Sequence, residues 1–217
     1  MKKIKVYIPN LPYRDDRKAS IITQFEGKKI FDVHIICPVY DEVAHNSLWK
    51  TFYDIVRKEA ETKSEFFIFC EDDHVFTKEY SEQFLLKQIC LAKALGADIL
   101  SGGMSWHDMV LQVKDDMFWV NRFNGMQFTI IFQQFYEKIL STDRDADCIT
   151  DNFLSTLTDS IFVTFPYISI QKEFGYSDVT KGNNEEGYVK SLFEKTENSL
   201  VILNKVRSYY GRAFNGL

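Results

Sequence analysis

Glu65-Phe66-Phe67-Ile68-Phe69-Cys70-Glu71-Asp72-Asp73-His74-Val75, residues 65–75, holds an unbroken apolar run, Phe66 to Cys70, followed at once by three carboxylates. An uninterrupted apolar run bounded by polar sequence reads as a strand buried on both faces, at the centre of a parallel sheet flanked by helices. In open α/β sheets the ligand crevice lies beyond the carboxyl ends of the strands. Glu71, Asp72 and Asp73 are therefore expected at the mouth of a binding site. Adjacent carboxylates repel one another unless something positive joins them. In extended chain Glu71 and Asp73 point to one side, leaving Asp72 on the other to bond backbone groups. All-oxygen ligation favours a hard cation, Mg²⁺ or Mn²⁺, over zinc. The competing reading is a solvated acidic turn or a cap on the next segment. The position directly after a fully apolar strand favours the site.

Working outward, Ile4 to Ile8 reads as a first strand ended by Pro9, Asn10 and Pro12. Tyr13 to Phe25 follows as a helix whose Arg14 and Arg17, three apart, share a face. Two cations at the end of a first strand can meet a nucleotide or a diphosphate, or else pair with Asp15 and Asp16 at the surface. Asp32 to Cys37 is a second strand and Asn46 to Glu61 a helix with an apolar stripe at Leu48, Phe52, Ile55 and Val56. Ser81 is placed to cap a helix over Glu82 to Leu95, with Gly96 as its stop. Asp98 to Leu100 opens a fourth strand. This β-α-β-α-β-α-β order implies a parallel, right-handed α/β half over residues 1–100.

Beyond it, Ser101-Gly102-Gly103 permits close backbone approach to a ligand. Met109 to Val113, Phe118 to Asn121 and Phe128 to Phe132 read as mixed or antiparallel additions to the sheet. Thr150 to Leu157 reads as a helix with Asp151 at its first turn, the usual place for a cap. Phe162 to Phe165 and Ile168 to Ile170 are expected to pair around Pro166. Gln171 to Asn184 is a polar loop, and Glu186 to Thr196 a helix. The tail from Leu200 to Leu217 carries Lys205, Arg207 and Arg212 and no acid. It suits an anionic membrane surface or a terminal helix packed on the domain; packing is the preferred reading. The division is a single domain, 1–217, with an acceptor-side half over 101–198 and a tail over 199–217.

The chain has 217 residues, 45% apolar, with 19 Phe and 11 Tyr, enough for a large core. Its net charge of −5 argues against a broad basic face reading nucleic-acid phosphates. Cys37, Cys70, Cys90 and Cys148 show no zinc spacing; Cys37 and Cys70, in apolar runs, read as buried thiols. No segment approaches the ~18–20 apolar residues of a membrane span, and the expectation is a cytoplasmic protein.

In sequence the chain resembles glycosyltransferase family 25, the lipopolysaccharide-type glycosyltransferases of GT-A fold. The matching pieces are Ile8-Pro9-Asn10-Leu11, Arg14-Asp15-Asp16-Arg17, the helix around His45 to Trp49, and Glu71-Asp72-Asp73 with His74-Val75. Asp151 to Leu154, Pro166 to Gln171 and Ser177-Asp178-Val179 complete them, over about residues 4–180. The resemblance implies a GT-A-like, mainly parallel mixed sheet flanked by helices, and transfer of a sugar from a nucleotide-sugar, a UDP-sugar by preference, to a surface-glycan acceptor with inversion. It implies Mn²⁺ or Mg²⁺ held by Glu71 and Asp73, with Asp178 as a later contact, and nucleotide-sugar contacts from Asn10, Arg14, Arg17, Asp72, Gly102 and Gly103. Asp151 becomes the candidate general base. Rival readings are an aspartyl phosphohydrolase, whose second carboxylate is missing in Asp72-x-His74, a sugar nucleotidyltransferase, whose glycine-rich loop is missing from Pro9 to Tyr13, and a catalytically silent binding protein.

Overall fold

The computed structural model describes residues 3–145, 148–176 and 185–214. Strand β1 (Ile4–Pro9) leads into helix α1 (Asp15–Phe25), strand β2 (Phe31–Ile36), helix α2 (Ala44–Glu61) and strand β3 (Phe66–Phe69). The alternation expected from sequence is present: β1 pairs in parallel with both β2 and β3. Strand β4 (His74–Phe76), helix α3 (Glu82–Ala94) and strand β5 (Ile99–Ser101) follow. Ser81 caps α3, its Oγ accepting the Phe84 N–H at 3.1 Å. Gly96 ends the turn in left-handed backbone, φ 71°, which glycine adopts without a Cβ penalty.

The second half adds β6 (Trp106–His107), β7 (Val110–Lys114), β8 (Met117–Val120), β9 (Phe123–Asn124), β10 (Thr129–Phe132), helix α4 (Gln133–Leu140), helix α5 (Thr150–Leu157), β11 (Ile161–Thr164), β12 (Ser169–Gln171) and helix α6 (Tyr188–Phe214). Eight strands form one sheet in the order β2-β1-β3-β10-β5-β11-β8-β7. β10 is antiparallel to both of its neighbours, β3 and β5. A strand of the second half thus lies between two strands of the first, and residues 1–100 and 101–198 share one sheet.

Strand alternation explains how β3 holds the centre. Phe67 and Phe69 enter one apolar cluster with Phe52, Phe135 and Tyr7, while Ile68 and Cys70 enter the cluster on the other face with Val6, Ile8 and Leu85. Both faces are covered, which is why the run carries no polar position.

Four expectations need correction. Residues 162–165 and 168–170 do not pair. β11 lies in the main sheet, parallel to β5 and antiparallel to β8, whereas β12 pairs with β4 in a separate ribbon. After Pro166 the chain leaves the sheet, and the N–H groups of Ile168 and Ser169 both bond the Gly102 carbonyl, at 2.8 and 3.1 Å. The helix expected to stop at Thr196 runs on as α6, with Val189, Phe193 and Leu200 buried along one side. Helix α4, read as part of no element, is set by Phe135, Tyr136 and Ile139, buried at helical spacing. Cys37 is exposed, because β2 has ended and the chain turns outward at Pro38; Cys70 is buried as expected.

The chain has a mixed α/β fold, one large sheet of parallel and antiparallel strands with helices packed on it. Among the described residues no helix is long and apolar enough to cross a membrane.

Candidate functional site

The carboxyl ends of β1, β2 and β3 open into a cleft of about 1070 Å³. The segments after these strands, the start of α5, residues 171–176 and the first turns of α6 line it.

Glu71, Asp72 and Asp73 stand at its floor, but not in extended chain. β3 stops at Phe69, and the His74 N–H bonds the Glu71 carbonyl at 3.2 Å, so the triplet is a turn. The expected extended geometry is corrected accordingly: the turn brings Asp72 and Asp73 to the same guanidinium, while Asp73 remains the charge that acts most strongly on Glu71. Arg17 Nη1 donates to Asp72 Oδ1 at 2.9 Å and to Asp73 Oδ2 at 3.1 Å. Asp72 Oδ2 accepts from Asn10 Nδ2 at 3.1 Å and lies 3.6 Å from Arg14 Nη1. Asp72 therefore bonds side chains, and Arg14 and Arg17 both pair with it. Burial works against the Arg17 charge, but Asp73 and Asp72 more than offset that and raise its pKa.

Glu71 does not bond the guanidiniums. Its Oε2 accepts from Gln171 Nε2 at 2.8 Å. Burial first, and then the charges of Asp73 and Asp151, hold its carboxyl pKa well above the usual range. Burial, with Asp72 adding to it and Arg17 opposing, pushes Asp73 up to about 6. One Asp73 oxygen, Oδ1, is buried with no hydrogen-bond partner.

Asp151 reaches the same cleft from the first turn of α5, where it is not the cap; Ile149 holds that position. Its Oδ2 accepts the Gly125 N–H at 2.9 Å and its Oδ1 the Asn152 N–H at 2.9 Å. Burial raises its pKa against the pull of those two N–H groups. Gly125 stands at φ 110°, backbone that L side chains rarely adopt, and an added Cβ would also have to displace Gln127 Oε1, 2.8 Å away.

The structure thus brings Asn10, Arg14, Arg17, Glu71, Asp72, Asp73 and Asp151 to one cleft. Gly102 and Gly103 lie behind its floor, and the close approach they allow is to the chain itself. A Cβ on Gly103 would sit 2.1 Å from the Ser169 carbonyl oxygen, and one on Gly102 3.0 Å from Phe128 Cδ1. Asp178 lies outside the described residues. Sequence reading gave no role to Gln171, to the Gly125 N–H, or to Phe174 and Tyr176, whose rings lie 4.9 and 4.8 Å from the Arg17 guanidinium. Gln171 stood inside a stretch already singled out; a backbone N–H leaves no mark in sequence.

The donor set fits a hard divalent cation. Its oxygens are carboxylate, one of them is buried without a partner, and the charges of Asp73 and Asp151 both oppose ionisation of Glu71. Among the described residues no group of three or more His, Cys, Asp or Glu side chains is placed to hold a metal ion, so a cation here would rest on two carboxylates.

No protein-family model matches the chain, and no curated protein is similar to it in sequence. Solved structures are similar in fold. A197 from STIV superposes with a TM-score of 0.58 at 15% identity, over 81% of this chain and 87% of that one. UDP-glucose pyrophosphorylase complexed with UDP-glucose gives 0.48 at 10% identity, over 91% and 100%. A glycosyltransferase involved in the glycosylation of the major capsid of PBCV-1 gives 0.44 at 10%, over 76% and 94%. The likeness to A197 is one of fold alone.

Proposed function

We propose that this chain is a metal-dependent glycosyltransferase. It moves a sugar, with inversion, from a nucleotide-sugar donor, a UDP-sugar, to a glycan or lipid-linked glycan acceptor of the surface-glycan or lipopolysaccharide type. One arrangement carries the reading: two arginines and an under-compensated carboxylate pair share a cleft at the strand ends with a buried aspartate from another element.

In this reading Arg14, Arg17 and Asn10 position the donor diphosphate, since guanidinium groups bind phosphate in a fixed fork. Asp73, with its open oxygen, and Glu71 hold Mn²⁺ or Mg²⁺, and Asp178 joins them. The bound metal supplies neutralisation of the charge that develops on the diphosphate leaving group. Gln171 fixes the Glu71 carboxylate. Asp151 takes the proton of the acceptor hydroxyl; its burial makes it a stronger base than a solvated carboxylate, and the Gly125 and Asn152 N–H groups fix its orientation.

Calorimetric titration with UDP, with and without Mn²⁺ and then with GDP and CDP, tests the proposal. Mn²⁺-dependent binding of UDP is expected. No binding of any nucleotide, with or without metal, would overturn it and leave the acidic triplet a structural turn.

A further inference from the structure

Helix α6 presents two different faces along its length. Its first half is docked: Val189, Phe193, Thr196 and Leu200 are all buried, at spacings of three and four. Beyond Leu200 the pattern reverses. Ile202 is 61% exposed, Val206 48%, Tyr209 72% and Tyr210 56%. Positions 202, 206 and 209 follow i, i+4, i+7 and so form one stripe, turned away from the docked side. Lone exposed apolar residues need no explanation, whereas a contiguous apolar stripe marks an interaction surface.

The charges around the stripe select the partner. The chain carries −5 overall, yet residues 198–217 contain Lys205, Arg207 and Arg212 and no Asp or Glu. Lys205 is exposed and flanks the stripe in helical phase, whereas Arg207 falls in phase with the docked residues and lies 3.4 Å from an Asp115 carboxylate oxygen. An apolar stripe flanked by Lys205, on a segment that carries no acid in an otherwise acidic protein, is complementary to a bilayer bearing anionic lipid: the apolar side chains enter the headgroup boundary and the cation meets the lipid charge.

We propose that the C-terminal turns of α6 dock this protein on an anionic lipid bilayer. The inference stands without the transferase reading. The first turn of the same helix walls the cleft through Tyr188 and Val189, and at 1.5 Å per residue Val206 lies about 27 Å along the axis from Tyr188. The docking turns and the cleft-lining turn therefore lie at opposite ends of one helix.

The test is flotation of the full chain with vesicles of phosphatidylcholine alone and of phosphatidylcholine with phosphatidylglycerol, at low and high salt, with sedimentation velocity in parallel. Binding to the anionic vesicles alone is expected, weakened by salt as the charges are screened. Lys205→Glu should reduce partitioning more than fivefold, at about fivefold per cation lost, and Ile202→Ser with Val206→Ser should abolish it. All three positions are exposed, so unchanged circular dichroism melting is expected to accompany these losses. A monomer that ignores anionic vesicles overturns the proposal. So does binding that survives both variants, which would put the contact elsewhere. A dimer dispersed by the Ile202/Val206 variant, with no lipid binding, would assign the stripe to a second copy instead.

Discussion

Replacing Asp73 by Asn tests whether the acid site is held against its own stability. The ordinary Asp value of 3.8 is raised to about 6 in the fold. The folded chain therefore holds this proton longer than the unfolded one. The stability that the neutral form contributes is fully present below about 3.8 and is lost as pH rises through about 6. That difference amounts to about 3 kcal/mol at neutral pH. Asn keeps the shape and removes the charge, at the cost of a weaker hydrogen bond to Arg17, so the expected gain for metal-free protein at pH ~7.5 is about 2 kcal/mol. For a chain of this size that is a rise in melting temperature of about 4–8 °C. At pH ~4, where wild-type Asp73 is already protonated, the two proteins should melt together. The assay is thermal melting of chelator-treated protein across that range. Mn²⁺ should raise the wild-type midpoint at neutral pH, by about 2.7 kcal/mol at a hundredfold excess over Kd, and leave Asp73→Asn unmoved. A variant that melts below wild type at every pH would refute the reasoning. Asp73 would then be an ordinary ion-pair partner of Arg17 and the site electrostatically complete.

Asp151→Asn should lower turnover by ~10² or more while Mn²⁺-dependent UDP binding persists; near-normal turnover would remove Asp151 as the base. Gly103→Ala drives a Cβ to 2.1 Å from the Ser169 carbonyl oxygen, so denaturant unfolding should show a loss of about 3 kcal/mol, and a loss under about 0.5 would mean that β12 can move aside. Leu200→Ala should cost about 2–5 kcal/mol because Leu200 is fully buried, whereas Ile202→Ala, at 61% exposure, should change stability by no more than about 0.5. Equal costs at the two positions would contradict the register of α6.

The parts legible in sequence are those that depend on one segment at a time. The central strand could be read because burial on both faces leaves no polar position between Phe66 and Cys70. Ser81 and Gly96 marked the ends of α3 through local bonds and backbone sign. Strand partners were not legible. β10, β11 and β12 are short, and Thr129–Phe132 and Ile161–Thr164 are buried throughout, so their patterns are the same whichever neighbour they take. The pairing of Ser169–Gln171 with His74–Phe76 spans nearly a hundred residues. The turn at 71–74 was likewise hidden, since the acidic triplet fits extended chain as well as a bend.

That turn changes what the triplet is. Read as a strand, it offered Glu71 and Asp73 as a matched pair with Asp72 apart. Folded, it divides by saturation. Asp72 is met by Asn10, Arg14 and Arg17, and so anchors the arginines. Asp73 receives half of one guanidinium and keeps a bare oxygen. Glu71 receives one amide. Four carboxylates, Asp151 included, face two guanidiniums, and the partial burial of Glu71 and Asp73 limits how far water makes up the difference. A fold under selection for stability alone would exchange one of these acids for an amide or an apolar residue, as buried ionic groups can be exchanged at little cost. Keeping the excess negative charge is explicable where something positive arrives to share it, and for that reason the carboxylate turn, rather than the arginines beside it, is the part of the site that points to a metal-bearing ligand.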